Sequence, residues 1–191
     1  MTQRGLYDRS PHDLLGHLKA ADPASPDTIV RRSLLRTDIN SLAGVTTPTT
    51  GKLLVVPVNM EGGDPINSVG WVTGTTALGT PTAGFVCVFN PAGLLVASSV
   101  DFTNTARAAS TQYTTAMATP TTAKVGGVHY VGICFTAGTM PTLLGTPVAP
   151  AMATGEASYA RESTSATYTT APPASLPALS ARLECPYVEI F

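Results

Sequence analysis

Phe85-Val86-Cys87-Val88-Phe89 is apolar at every position. A strand built from this run carries apolar side chains on both faces, so both faces need cover. The chain must therefore place it centrally in a layered β structure, or lay another subunit on its outer face. Asn90 and Pro91-Ala92-Gly93 follow, and Leu94 to Val100 is a second β-prone run. Proline early and glycine late in so short a connection predict a β-hairpin: proline presets φ, and glycine supplies the left-handed residue.

The same grammar recurs on either side. Lys52 to Met60 reads as a first strand, with Pro57 placing it at an edge or a bulge because proline donates no ladder hydrogen bond. Strands are also expected over Ile66–Gly74, Val128–Phe135 and Thr142–Val148, and a strand or short turn over Gln112–Ala118. Turns every 8 to 15 residues or so predict an all-β, sandwich or jelly-roll-like module. Its limits are set by charge. From Pro65 to Gly155 the only charged residues are Asp101, Arg107 and Lys124, whereas Arg4, Arg9, Lys19, Arg31, Arg32 and Arg36 all precede Gly51. The expected organisation is an N-terminal arm and linker over 1–50, the β module over 51–150, and an extended tail over 151–191.

The arm is expected to be partly helical. Ser10-Pro11-His12-Asp13 is a helix start, and Leu14, Leu15 and Leu18 share one face. Ser25-Pro26-Asp27 repeats the signal; Leu35, Ile39 and Leu42 follow at helical spacing, and Gly44 is a possible stop, with an extended arm as the alternative. Arg31, Arg32 and Arg36 read as a solvated face or as a docking element for an acidic partner surface. The tail from Ala149 to Pro177 is rich in Ala, Thr, Ser and Pro and reads as irregular, with Tyr159 and Tyr168 as pins onto a neighbour. A tail ending on Ile190-Phe191 predicts a paired strand or a buried interface.

Chemistry is scarce. The chain has no GxGxxG, Walker, HExxH or GxSxG motif. His12 and His17 lie in the charged arm, and His129 on a strand reads as structural. Glu61 and Asp64 flank Gly62-Gly63, a spacing open to calcium binding or a glycosidase pair but more simply a solvated turn. Cys87, Cys134 and Cys185 lack metal-ligand spacing and read as buried thiols, with a Cys87–Cys134 bridge left open. The expectation is no catalytic residue, no metal, no cofactor and no enzyme. A net charge of -1 argues against nucleic acid. No apolar run reaches the roughly 18 residues of a membrane-spanning helix. Met1 to Gly5 lacks a signal-peptide core, so synthesis in the cytoplasm without export by that route is expected.

Several segments carry a family resemblance. They are Ser68-Val69-Gly70-Trp71-Val72-Thr73-Gly74-Thr75-Thr76-Ala77 with Thr80-Pro81-Thr82, and Val88-Phe89-Asn90-Pro91-Ala92-Gly93 running on to Asp101. Ala116 to Pro120, Gly127 to Ile133 and Leu143-Leu144-Gly145 complete the set. Together, over Lys52 to Pro147, they resemble a β-sandwich module of virion proteins of actinobacterial tailed phages, of minor tail or head-decoration type. The resemblance implies a structural protein made in the host cytoplasm and displayed on the virion. It implies major capsid or tail subunits as partners, and a homotrimer. Candidate assembly contacts are Leu14, Leu15, Leu18, Leu35, Ile39, Leu42, Ile190 and Phe191. Trp71, the only tryptophan, reads as a core or interface anchor; the alternative function is a carbohydrate-binding module for a host-surface glycan, with Trp71 as its candidate ligand contact. A depolymerase using Glu61 and Asp64 is a third reading.

Overall fold

The computed structural model describes residues 31–33, 43–147, 160–164, 167–169 and 171–191. Their strands, in chain order, are β1 (Arg31–Arg32), β2 (Ala43–Thr46), β3 (Leu53–Met60), β4 (Pro65–Val72), β5 (Pro81–Phe89), β6 (Leu95–Ser98) and β7 (Gln112–Thr122). β8 (Gly127–Ala137), β9 (Leu143–Pro147), β10 (Arg161–Ser163), β11 (Leu179–Ala181), β12 (Glu184–Pro186) and β13 (Val188–Ile190) follow. All strand pairs are antiparallel. The orders are β11-β10-β3-β8-β5-β6 in a six-stranded sheet, β1-β13-β4-β7 in a four-stranded sheet and β12-β9-β2 in a three-stranded sheet.

The predicted hairpin is β5–β6. Gly93 takes φ +77, Asn90 N–H donates to Leu94 O, and Asn90 Oδ1 accepts Leu94 N–H. Alternation then sorts the side chains of the six-stranded sheet. Leu54, Val56 and Val58 of β3, Val86 and Val88 of β5, and Val131, Ile133 and Phe135 of β8 point inward. They pack with Val69 and Trp71 of β4 and Val188 and Ile190 of β13. The odd residues of β5 lie on the other face with Leu53, Val55 and Cys134, and this face is buried too. Its cover comes from the same chain: Tyr168, Leu176 and Leu179 lie across it. This strap is tied down by Tyr168 N–H to Gly51 O, Leu95 N–H to Ala174 O and Leu176 N–H to Gly93 O. At the centre of the face, Gly132 leaves room for Cys87; a Cβ there would sit 2.6 Å from its Sγ and 2.9 Å from Leu53 Cδ1.

Contrary to what Pro57 predicts, β3 is neither an edge strand nor bulged: it lies between β10 and β8 with an unbroken register to β8, and the proline is accommodated by register. Leu53 N–H donates to Ser163 Oγ, so the odd residues of β3 aim their nitrogens toward β10. The partners of β10 on β3 are Leu54 and Val55, so the pairing stops short of Pro57. The missing N–H therefore falls where no ladder bond is made.

The expectation of a partly helical arm is corrected wherever it can be followed: no helix occurs among the described residues. Arg31–Arg32 is a strand, and Gly44, the expected helix stop, lies within β2. β1 instead gains a place at a sheet edge and two buried ion pairs. The helix starts at Ser10 and Ser25 and the leucine faces lie outside the described residues. Within the stretch expected to be irregular, β10 pairs with β3, while the chain end is the expected paired strand: β13 lies beside β4, and β12 beside β9.

Candidate functional site

The densest polar constellation forms where β1 meets β13. Arg31 lies opposite Ile190 and Arg32 opposite Glu189. Ser33 extends the pairing: its N–H donates to Val188 O, its Oγ donates to Pro186 O at 2.8 Å, and that Oγ accepts Val188 N–H at 2.9 Å. A three-residue segment is thus held to β13 by backbone bonds and by its side chains.

Successive strand residues point to opposite faces, so the two arginines reach different sockets. Arg31 grips Asp64 with both arms, Nε to Oδ2 at 2.5 Å and Nη2 to Oδ1 at 3.0 Å, and its Nη2 lies 3.2 Å from Glu61 Oε2. Asp64 also accepts Glu61 N–H at 2.7 Å, which fixes the β3–β4 turn. Arg32 Nε donates to Glu189 Oε1 at 2.8 Å and to Tyr187 OH at 3.1 Å. The Tyr187 hydroxyl donates to that same Glu189 oxygen, and Gln112 Nε2 donates to the other at 2.9 Å. Burial works against both guanidinium charges, but the bonds and charge of Asp64 and Glu189 outweigh it and raise the arginine pKa values. Burial, reinforced by Glu189, pushes the Tyr187 phenol well up, so it stays a donor at neutral pH.

A second cluster secures the tail. Glu162 of β10 accepts Thr49 N–H and Thr49 Oγ1 at 2.8 and 2.9 Å, and Arg182 Nη1 at 3.1 Å. The expected linker after Thr46 is thereby tied to β10. Each of these buried carboxylates faces an arginine, an arrangement suited to holding segments together rather than to moving protons. Among the described residues, no group of three or more His, Cys, Asp or Glu side chains is placed to hold a metal ion.

The sequence-derived candidates divide clearly. Trp71 is 0% exposed, donates from Nε1 to Thr115 Oγ1 and packs against Tyr113 and Phe135, so it cannot meet a glycan. Ile190 is buried in the chain's own core, while Phe191 is half-buried and its N–H donates to Ser68 O. Leu14, Leu15, Leu18, Leu35, Ile39 and Leu42 lie outside the described residues, as do His12, His17 and Tyr159. Asp64 is not a solvated turn residue and Arg31 and Arg32 are not a solvated face: Arg31 is buried against Asp64, and Arg32 against Glu189. His129 is buried. Cys87, Cys134 and Cys185 are free thiols. Tyr168 pins the strap to its own sheet. Arg107, which carried no role, sits over the Phe102 and Tyr113 rings at 5.3 and 4.9 Å, closing one end of the core.

Sequence reading missed the partners of the arginines. The signal was present in Tyr187-Val188-Glu189-Ile190: a lone carboxylate in an apolar run is buried only with a cation. No protein-family model matches the chain, and no curated protein matches it.

Proposed function

We propose that the chain is a structural virion protein of a tailed bacteriophage, a capsid decoration or minor tail component anchored through its terminal segments. Its all-β strands form a jelly-roll-like sandwich, and it works as a homotrimer against major capsid or tail subunits.

One observation carries this reading: the segments flanking the module enter its sheets through buried ion pairs. A part fixed to a particle by an arm must pass tension from the arm into its body. Arg31–Ser33 would do so through two arginine–carboxylate contacts and the β13 backbone, and Glu162 would do the same for the tail. The scarcity of charge over 65–155 suits close packing among copies without like-charge contacts. The carbohydrate-binding alternative loses its best residue with the burial of Trp71.

Immunogold electron microscopy of intact particles, with antibody against residues 51–150, tests the reading. Label over the head identifies a decoration protein, and label on the tail a tail component. Unlabelled particles overturn it.

A further inference from the structure

We infer that residues 171–179, with Tyr168, form a strap that opens while both sheets stay folded. Cys134 beneath it is then a modification site for small-molecule disulfides, whose attachment holds the strap open.

The strap is joined to the sandwich lightly. Pro172, Pro173 and Pro177 carry no N–H, so this stretch cannot enter a ladder as a strand does. Over 171–177 its described backbone bonds are Leu95 N–H to Ala174 O at 2.9 Å and Leu176 N–H to Gly93 O at 2.8 Å. Ala171, Ala174, Ser175 and Ala178 face solvent, and Leu176 is only half-buried. None of these contacts belongs to the β3–β8, β8–β5 or β5–β6 pairings, so lifting the strap leaves those ladders whole. A segment held by few buried contacts opens locally, at a smaller cost than global unfolding.

The two sulfurs under the strap differ. Cys87 is packed at the centre of the face, over Gly132 and beside Leu53. Cys134 touches the strap itself: its Sγ and the Thr136 hydroxyl both donate to Tyr168 O, at 3.7 and 3.3 Å. Under the closed strap, burial pushes the Cys134 thiol up to about 12, which leaves it inert as a nucleophile at neutral pH. Opening removes the cover and the burial together, so one motion gates both access and ionisation.

Once uncovered, the Cys134 thiol gives its proton to water. Its thiolate attacks one sulfur of the small disulfide; a new S–S bond forms as the old one breaks, and the other half leaves as a thiolate. The exchange needs no further oxidant. The added group has no room beneath a closed strap, because Leu53, Phe85, Cys87 and Phe89 around it are already packed to 1% exposure or less. The strap therefore stays lifted until a reducing thiol reverses the exchange.

The test uses the full chain with Cys185→Ala and the aromatic disulfide dithionitrobenzoate, whose released thiolate is coloured, at neutral pH without denaturant. The expected first phase releases one thiolate per chain, and peptide mass places the adduct on Cys134. Leu176→Ala should speed this phase about tenfold by weakening the strap alone. Val188→Ala, which opens a cavity in the other core, should leave it nearly unchanged. Thr136→Val, a milder change that removes one tie to Tyr168 O, should speed it to a smaller extent. The adduct should keep the buried emission of Trp71, and in hydrogen exchange the Leu176 amide should lose protection while the amides of β5 and β8 keep it. Equal acceleration by Val188→Ala and Leu176→Ala would tie labelling to global unfolding and overturn the proposal. First reaction at Cys87, no reaction of the native chain, or an adduct with red-shifted Trp71 emission would overturn it as well.

Discussion

Arg32 and Glu189 face each other across β1 and β13 at 2.8 Å, with side chains 4% and 0% exposed. Separation by 157 positions makes this one of the longest sequence spans closed by a side-chain bond in the fold.

The pair should be costly to break and cheap to replace. Arg32→Ala leaves Glu189 buried without its cation and is expected to cost about 3–5 kcal/mol in urea unfolding. Arg32→Met combined with Glu189→Leu should recover most of that loss. Equal losses in the single and double variants would show that the ionic contact is not what couples β1 to β13.

Trp71 provides an internal reporter. As the only tryptophan, and a buried one, it should emit in the blue and shift red on unfolding. Trp71→Ala should cost about 3–5 kcal/mol through the cavity it leaves between β4 and Phe135. A red emission maximum for the folded protein would contradict the packing of that core.

Gly132 tests the covered outer face. Gly132→Ala should lower stability by about 1–3 kcal/mol, because the added methyl meets Cys87 and Leu53. Cys87→Ala in the same chain should restore part of it. No rescue in that double variant would place the strain elsewhere.

The thiols predict an alkaline limit. Burial pushes Cys134 from 9.0 up to about 12 and Cys185 up to about 11. A thiol whose pKa is higher in the folded state gives stability that is complete below the unfolded value. That stability is lost as pH rises through the folded one. Urea midpoints should therefore fall between pH 9 and about 12, and Cys134→Val should flatten the fall. Thiol reagents at pH 8 should label Cys87 and Cys134 slowly, and faster when Leu176→Asp loosens the strap.

Much of the β architecture was legible because it is written locally. The Asn90–Gly93 turn and the apolar runs of β3, β5 and β8 each specify their own conformation, whereas Pro57 misplaced β3 at an edge or bulge. Doubly apolar β5 announced that its outer face was covered, yet not by what. The cover, Tyr168 and Leu176, lies in an Ala/Thr/Pro-rich stretch without periodicity, so its pairing is decided by the sheet it meets. The arginine sockets were only half legible: Glu189 in its apolar run signals a buried cation, but which arginine supplies it is not written there. Arg31 and Asp64 are 33 positions apart, and an ion pair leaves no spacing rule in a sequence. Trp71 reads as a core or interface anchor and lies in the core; the glycan alternative needed it exposed, and which face of β4 it occupies is not known until register is.

β13 is the last strand in chain order, yet it lies inside its sheet, between β1 and β4. Until residues 188–190 have been synthesised, β4 has a bare edge and Arg31 and Arg32 have no strand to join. The four-stranded sheet therefore closes late, through contacts between the most distant described parts of the chain, which makes its assembly slow. A nascent chain stalled before this point would display an unpaired strand edge beside Trp71, so premature termination should yield insoluble product rather than a smaller folded domain.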